Sequence, residues 1–308
     1  MSIRLSGLIA ATHTPFDAQG EINLPAIETQ AAYLLRQGIN GVFIGGTTGE
    51  GHSLTREERL ALTRRWSEVV RGTPLRWVVH VGSTCLADAR ELARQAEQFQ
   101  ATAIAALAPS YFKPRDVPAL VAWCQQIAAA APQTPFYYYD IPGLTGVNLP
   151  LTAFVEQARE VIPTLAGIKY SNPDLLQLQH GLHLDEGRLD LLWGNDETLL
   201  AALALGVQGA VGSSYNFAAP IYQRMLKAFD NNDLTQARAE QYRSLQLIDT
   251  LASFGYLAAS KVLMGWLGVP VGPPRLPLQD LTAPQRHQLR QQLERLGFLD
   301  AASTAWLS

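Results

Sequence analysis

Short, continuously apolar runs alternate with longer amphipathic segments along most of this chain. GLIAATHT, GVFIGG, LRWVVHVG, ATAIAAL, PFYYYD, TLAGIKY, LDLLWG and VQGAVGSS are each bounded by glycine, proline or polar residues. Uniform hydrophobicity over so short a stretch predicts strands covered on both faces, as in a parallel sheet. The intervening segments carry apolar residues at helical spacing. In the first, Leu24, Ile27, Ala31, Leu34 and Leu35 fall on one face. In the second, Thr55 and Glu58 form a capping box ahead of Leu62, Trp66 and Val69. Eight such β-then-α units predict an α/β chain closed into a (β/α)8 TIM barrel. An open doubly wound sheet competes, but it usually brings a glycine-rich phosphate turn after the first strand. ATHTPF is nothing like one.

Beyond Asn231 the strand pattern stops. Helical periodicity continues around Gln241–Leu251, then through the apolar stretch Tyr256–Leu267. A proline-rich link, Pro270–Pro277, leads to a last helix capped by Thr282 with Gln285, carrying Leu289, Leu293 and Leu296 before Gly297. The expected organisation is a barrel over residues 1–230 carrying the active site, with a helical extension over 231–308 that is not an independent domain.

Composition narrows the class. Of 308 residues, 47% are hydrophobic and 17% charged, and the net charge is −3, so nothing favours nucleic acid or an anionic membrane surface. No run of about 18 apolar residues occurs. MSIRLSGLIAATHTPF lacks a signal-peptide layout and reads as a first strand. Cys85 and Cys124 suggest neither a disulfide framework nor a metal cluster. These features predict a cytoplasmic protein with a small-molecule substrate and no organic cofactor or metal.

In a parallel barrel, reactive groups sit at the C-terminal ends of strands and in the loops that follow. Lys169 ends the sixth strand after Leu165-Ala166-Gly167-Ile168. An ammonium there loses hydration, so Lys169 either snorkels to water or serves a site that uses a desolvated amine. Such an amine can attack a ketone and form a Schiff base, an electron sink for breaking a C–C bond. Tyr139 and Asp140 end the fifth strand. Tyr137 and Tyr139 share one face, with Tyr138 on the other. A phenol at 139 can relay a proton if it has a hydrogen-bonded partner such as Thr47.

Thr47 and Thr48 lie in IGGTTGEG, which lacks the Lys-Ser/Thr pair of a P-loop and whose Glu50 would repel phosphate. Exposed backbone N–H groups beside two hydroxyls suit a carboxylate; a plain glycine-rich turn is the alternative. Gly194, Asp196 and Glu197 follow the seventh strand, and Ser213 and Ser214 end the eighth. His80, inside VVHVG, reads as a core or rim residue, and no His/Asp/Glu spacing suggests a metal site.

Taken in order, GLIAATHTPF, GGTTGEG, HVG, APSYFKP, FYYYDIPGLTGV, GIKYSNPDLL, GNDETLLAALALGVQGAVGSSYN and GPPRLPLQ cover nearly the whole chain. This series resembles the dihydrodipicolinate synthase and N-acetylneuraminate lyase family of pyruvate-dependent class I aldolases, and within it the sialic acid lyase branch. The resemblance implies that Lys169 is the Schiff-base lysine and Tyr139 the phenol facing it. Thr47 and Thr48 would hold the pyruvoyl carboxylate. Ser171, Gly194, Asp196, Glu197 and Ser213 would grip the polyhydroxyl tail of a sugar acid. Tyr111, in APSYFKP, matches a tyrosine that reaches into a neighbouring subunit's site, implying a homotetramer.

One departure bears on the substrate. Relatives of the synthase type carry an arginine after the tyrosine turn, where this chain has Leu144. The implied reaction is therefore reversible cleavage of N-acetylneuraminate to N-acetylmannosamine and pyruvate. Aldolysis of a 2-keto-3-deoxy sugar acid, or the dihydrodipicolinate synthase reaction, keeps the imine and changes the aldehyde. A silent barrel that only binds keto acids is the reading from another class, and the complete lysine, tyrosine and threonine set argues against it.

Overall fold

The computed structural model describes residues 4–299, so residues 300–308 of the expected extension lie outside the described residues. Eight parallel strands close into a barrel in sequential order, the first pairing with the eighth. They are β1 (Gly7–Ala11), β2 (Gly41–Ile44), β3 (Arg76–His80), β4 (Ala103–Leu107), β5 (Phe136–Asp140), β6 (Leu165–Tyr170), β7 (Asp190–Trp193) and β8 (Gly209–Gly212). Each lies inside its expected apolar run. The polar ends of those runs, such as Thr12–Thr14 and Ser213–Ser214, fall in the loops above the barrel.

Alternation along the strands makes two cores. Tyr137 and Tyr139 point into the barrel with Phe43, Val78 and Leu192. Tyr138 points outward and packs on Phe154, ring centroids 4.5 Å apart, in the layer between sheet and helices. Register across β5 and β6 pairs Tyr139 with Lys169 and so sets the two at one height. Both expected capping boxes form, at Thr55–Glu58 and at Thr282–Gln285. Leu289 and Leu293 are fully buried, whereas Leu296 falls past the last helical turn and is 41% exposed.

The extension wraps the barrel. Helix Leu234–Ala252 packs along Ala219–Asp230, and Tyr256–Trp266 follows at a sharp bend of 109°. Among the described residues no single helix is long and apolar enough to cross a membrane. The proline-rich link crosses over the loop after β1: Phe16 N–H donates to Val271 O at 3.1 Å, and a Cβ on Gly272 (φ +69°) would lie 1.9 Å from Phe16 O.

Lys261 secures this crossing. Its Nζ is 2.6 Å from Glu50 Oε1 and donates to the carbonyls of Thr14 and Pro273, each at 3.1 Å. Arg275 N–H donates to Glu50 Oε2 at 2.8 Å. Burial pulls Lys261 below the usual lysine value and the Glu50 carboxylate pushes it back. Glu50, left-handed at φ 52°, is thus turned onto the link and braces the threonine turn from behind.

Candidate functional site

Lys169 is 3% exposed, and its Nζ lies 4.0 Å from the ring centroids of both Phe43 and Tyr139. Two aromatic faces therefore replace water around the amine. Among the described residues no carboxylate forms an ion pair with it. The snorkelling alternative does not hold.

The Tyr139 hydroxyl lies 3.4 Å from Thr47 Oγ1, the partner expected for it. The Tyr139 ring meets Phe43 edge-on at 5.7 Å and His80 at 5.9 Å. His80 is buried, as a core or rim residue should be, and its Nδ1 is 3.0 Å from Gly45 O. Arg59 Nη2, which can only donate, lies 3.4 Å from the same nitrogen; the shorter contact, to a carbonyl that only accepts, places the proton on Nδ1. Burial first, then the Arg59 guanidinium, holds His80 well below the usual histidine value. The neutral ring ties the glycine turn to β3 and thereby fixes where Thr47 stands.

A cavity of about 230 Å³ opens over Lys169. Thr47, Thr48, Tyr139, Ser171, Gly194, Asp196, Glu197 and Ser213 all line it. Ser171 Oγ donates to Gly194 O at 3.2 Å, which holds the ends of β6 and β7 together. Asp196 and Glu197 do not behave as a matched pair. Glu197 is exposed at the mouth, whereas Asp196 is 5% exposed and burial raises its carboxyl to about 6. Asp196 lies so close over Gly212 that a Cβ there would be 2.0 Å from its Oδ1. Only glycine fits.

Tyr111 stands apart from this cavity. It is 79% exposed and stacks edge-on against Phe112, itself 86% exposed. Tyr111 lines a separate surface pocket with Trp123 and Lys113.

Tyr256 and Ile248, both from the helical extension, also line the Lys169 cavity. Tyr256 OH is 2.8 Å from Ser213 Oγ, and burial pushes its phenol well above the usual tyrosine value. Nothing local marked it in the sequence, because it opens a helix that otherwise reads as apolar packing. A wider chamber of about 460 Å³ shares Thr47, Thr48, Ser213 and Tyr256 with the first. Leu107, Leu144, Leu257 and Leu278 give it apolar walls. No cation stands at 144.

The cavity therefore brings together an amine caged by aromatic rings, a hydroxyl-bearing turn, and carboxylate and hydroxyl acceptors. This suits covalent capture of a carbonyl whose remainder is rich in hydroxyls.

The model of the dihydrodipicolinate synthetase family matches residues 4–296. N-acetylneuraminate lyase of Danio rerio is 40% identical over 294 residues, covering 94% of this chain and 96% of its own. The structure of Proteus mirabilis N-acetylneuraminate lyase superposes with a TM-score of 0.93 at 39% identity, covering 96% of this chain and 100% of that one. A catalytic lysine mutant of Ruminococcus gnavus sialic acid aldolase superposes with a TM-score of 0.90 at 27% identity, covering 96% and 97%.

Proposed function

The chain belongs to the dihydrodipicolinate synthetase family, and from that premise we propose that it is a carbon–carbon lyase that reversibly cleaves N-acetylneuraminate to N-acetylmannosamine and pyruvate. The observation that carries this reading is the Lys169 amine enclosed between Tyr139 and Phe43, in a cavity also lined by Asp196, Glu197 and Ser213.

Lys169 Nζ adds to the C2 ketone of the open-chain substrate, and loss of water gives the protonated imine. Thr47 and Thr48 hold the adjacent carboxylate with hydroxyls and backbone N–H groups. As the C3–C4 bond breaks, the C4 hydroxyl proton passes to the Tyr139 oxygen while the phenol's own proton moves to Thr47 Oγ1 and that hydroxyl's proton to the substrate carboxylate it holds. The electron pair of the broken bond moves into the imine. N-acetylmannosamine leaves with the new aldehyde. The enamine takes a proton at C3, and water then releases pyruvate and the free amine.

Asp196, Glu197, Ser213, Ser171 and the Gly194 backbone meet the hydroxylated tail. Leu144 leaves a carboxylate-bearing aldehyde without a cation, which weighs against a synthase. A panel of sialic acid, 2-keto-3-deoxy sugar acids and the synthase substrates, read by pyruvate formed or consumed, tests the assignment. Highest kcat/KM is expected for sialic acid; a higher value for a shorter keto acid overturns the substrate.

Tyr111 and Phe112, aromatic and exposed, serve a second copy, with Tyr111 completing the neighbour's site in a homotetramer. Sedimentation of a single-chain mass at micromolar concentration overturns that part. Two free cysteines, one of them exposed, fit a reducing cytoplasmic setting.

A further inference from the structure

Behind Asp196 runs a file of buried polar groups that takes no part in the chemistry above. Asp196 Oδ2 accepts from the Ser214 backbone N–H at 2.8 Å and also from Ser214 Oγ. Ser214 Oγ lies 2.7 Å from the Tyr222 hydroxyl. Gln241 Nε2 donates to Ser244 Oγ at 2.9 Å and to the Asp196 carbonyl at 3.1 Å. Gln241 Oε1 accepts from Leu200 N–H at 2.8 Å, which fixes the sense of that amide. Ser214, Tyr222 and Ser244 are all within 1% of complete burial.

The proton count gives this file a direction. A hydroxyl has one proton to donate, whereas an amide nitrogen can only donate. With Oδ2 already taking a backbone N–H, Ser214 donates to it and is left to accept from Tyr222. Ser244 Oγ donates its own proton to the Gln241 carbonyl at 2.8 Å. No described donor engages Asp196 Oδ1, which sits over Gly212 on the cavity wall.

We propose that Tyr222 and Ser214 are positioning residues, a one-way chain of donors that keeps Asp196 an ionised and fixed acceptor for a hydroxyl of the sugar-acid tail. The inference rests on the sialic acid reading. The other titratable groups facing Asp196 are Glu197 beside it, Lys169 on β6, Tyr215 and Tyr222, and Tyr256 from the extension. Burial and Glu197 favour the protonated carboxyl; the Ser214 bonds and Lys169 favour the carboxylate. Because the ionised form is lost as pH falls through about 6, weakening the Ser214 donation moves that loss to higher pH.

Tyr222→Phe removes the donor behind Ser214 and leaves the cavity lining intact. Its KM for N-acetylneuraminate is expected to rise about tenfold near pH 5 and about twofold at pH 7, and to return to the wild-type value in alkali. Borohydride trapping of pyruvate on Lys169 should keep its wild-type yield. A KM profile that superposes on the wild type overturns the proposal, as does a pH-independent loss of KM and trapping together. Isotope-edited infrared titration, with the Asp196→Asn spectrum subtracted, follows the carboxyl without substrate. A midpoint raised by about one pH unit in Tyr222→Phe supports the chain, and an unchanged midpoint refutes it. If the wild type fails to cleave sialic acid, the substrate assignment falls, and the infrared midpoint still judges the donor chain.

Discussion

Replacing Lys169 by alanine is expected to lower kcat for sialic acid cleavage by at least about three orders of magnitude, with loss of all borohydride-trapped pyruvate. Covalent capture cannot be replaced by a neighbour, because the groups nearest Nζ are the Phe43 and Tyr139 rings. Lys169→Arg should be as inactive, since a guanidinium stays protonated and does not add to ketones. Peptide mass mapping of the wild-type adduct should place the added pyruvyl mass on the peptide containing Lys169. An adduct elsewhere, or turnover by Lys169→Ala near the wild-type rate, removes the proposed mechanism.

Tyr139→Phe should separate the two halves of the reaction. The ring beneath Nζ is kept, so pyruvate should still be trapped on Lys169. The hydroxyl 3.4 Å from Thr47 is lost, and with it the route for the C4 proton. A fall in kcat of about 10²- to 10⁴-fold is expected, the range for removal of a general acid–base group. A kcat within about twofold of wild type would assign the proton transfer to another group. Loss of trapping as well would show that the phenol is needed to form the imine.

The barrel was legible because a strand covered on both faces leaves an unmistakable mark: a few consecutive apolar residues between turn signals. Lys169 was legible for the converse reason, as a charge at the end of such a run. Lys261 lies in an equally apolar stretch and reads the same way, but its burial is compensated by Glu50, far away in sequence and brought near only by the crossing link. Which buried lysine has a carboxylate and which has two aromatic rings is a tertiary fact. Tyr256 was missed on similar grounds, since the bend before its helix is what aims it at Ser213. Ser214 was visible at a strand end, yet its use, holding Asp196 rather than facing the cavity, depends on a tyrosine that resembles ordinary packing.

The crossing of the proline-rich link over the loop after β1 also has a bearing on synthesis. A nascent chain paused after β8 already contains Lys169, Tyr139 and both threonines. It still lacks Tyr256 and the lysine that holds Glu50 against the back of their turn. Segments made after the last strand therefore finish the chamber wall and brace its threonine turn.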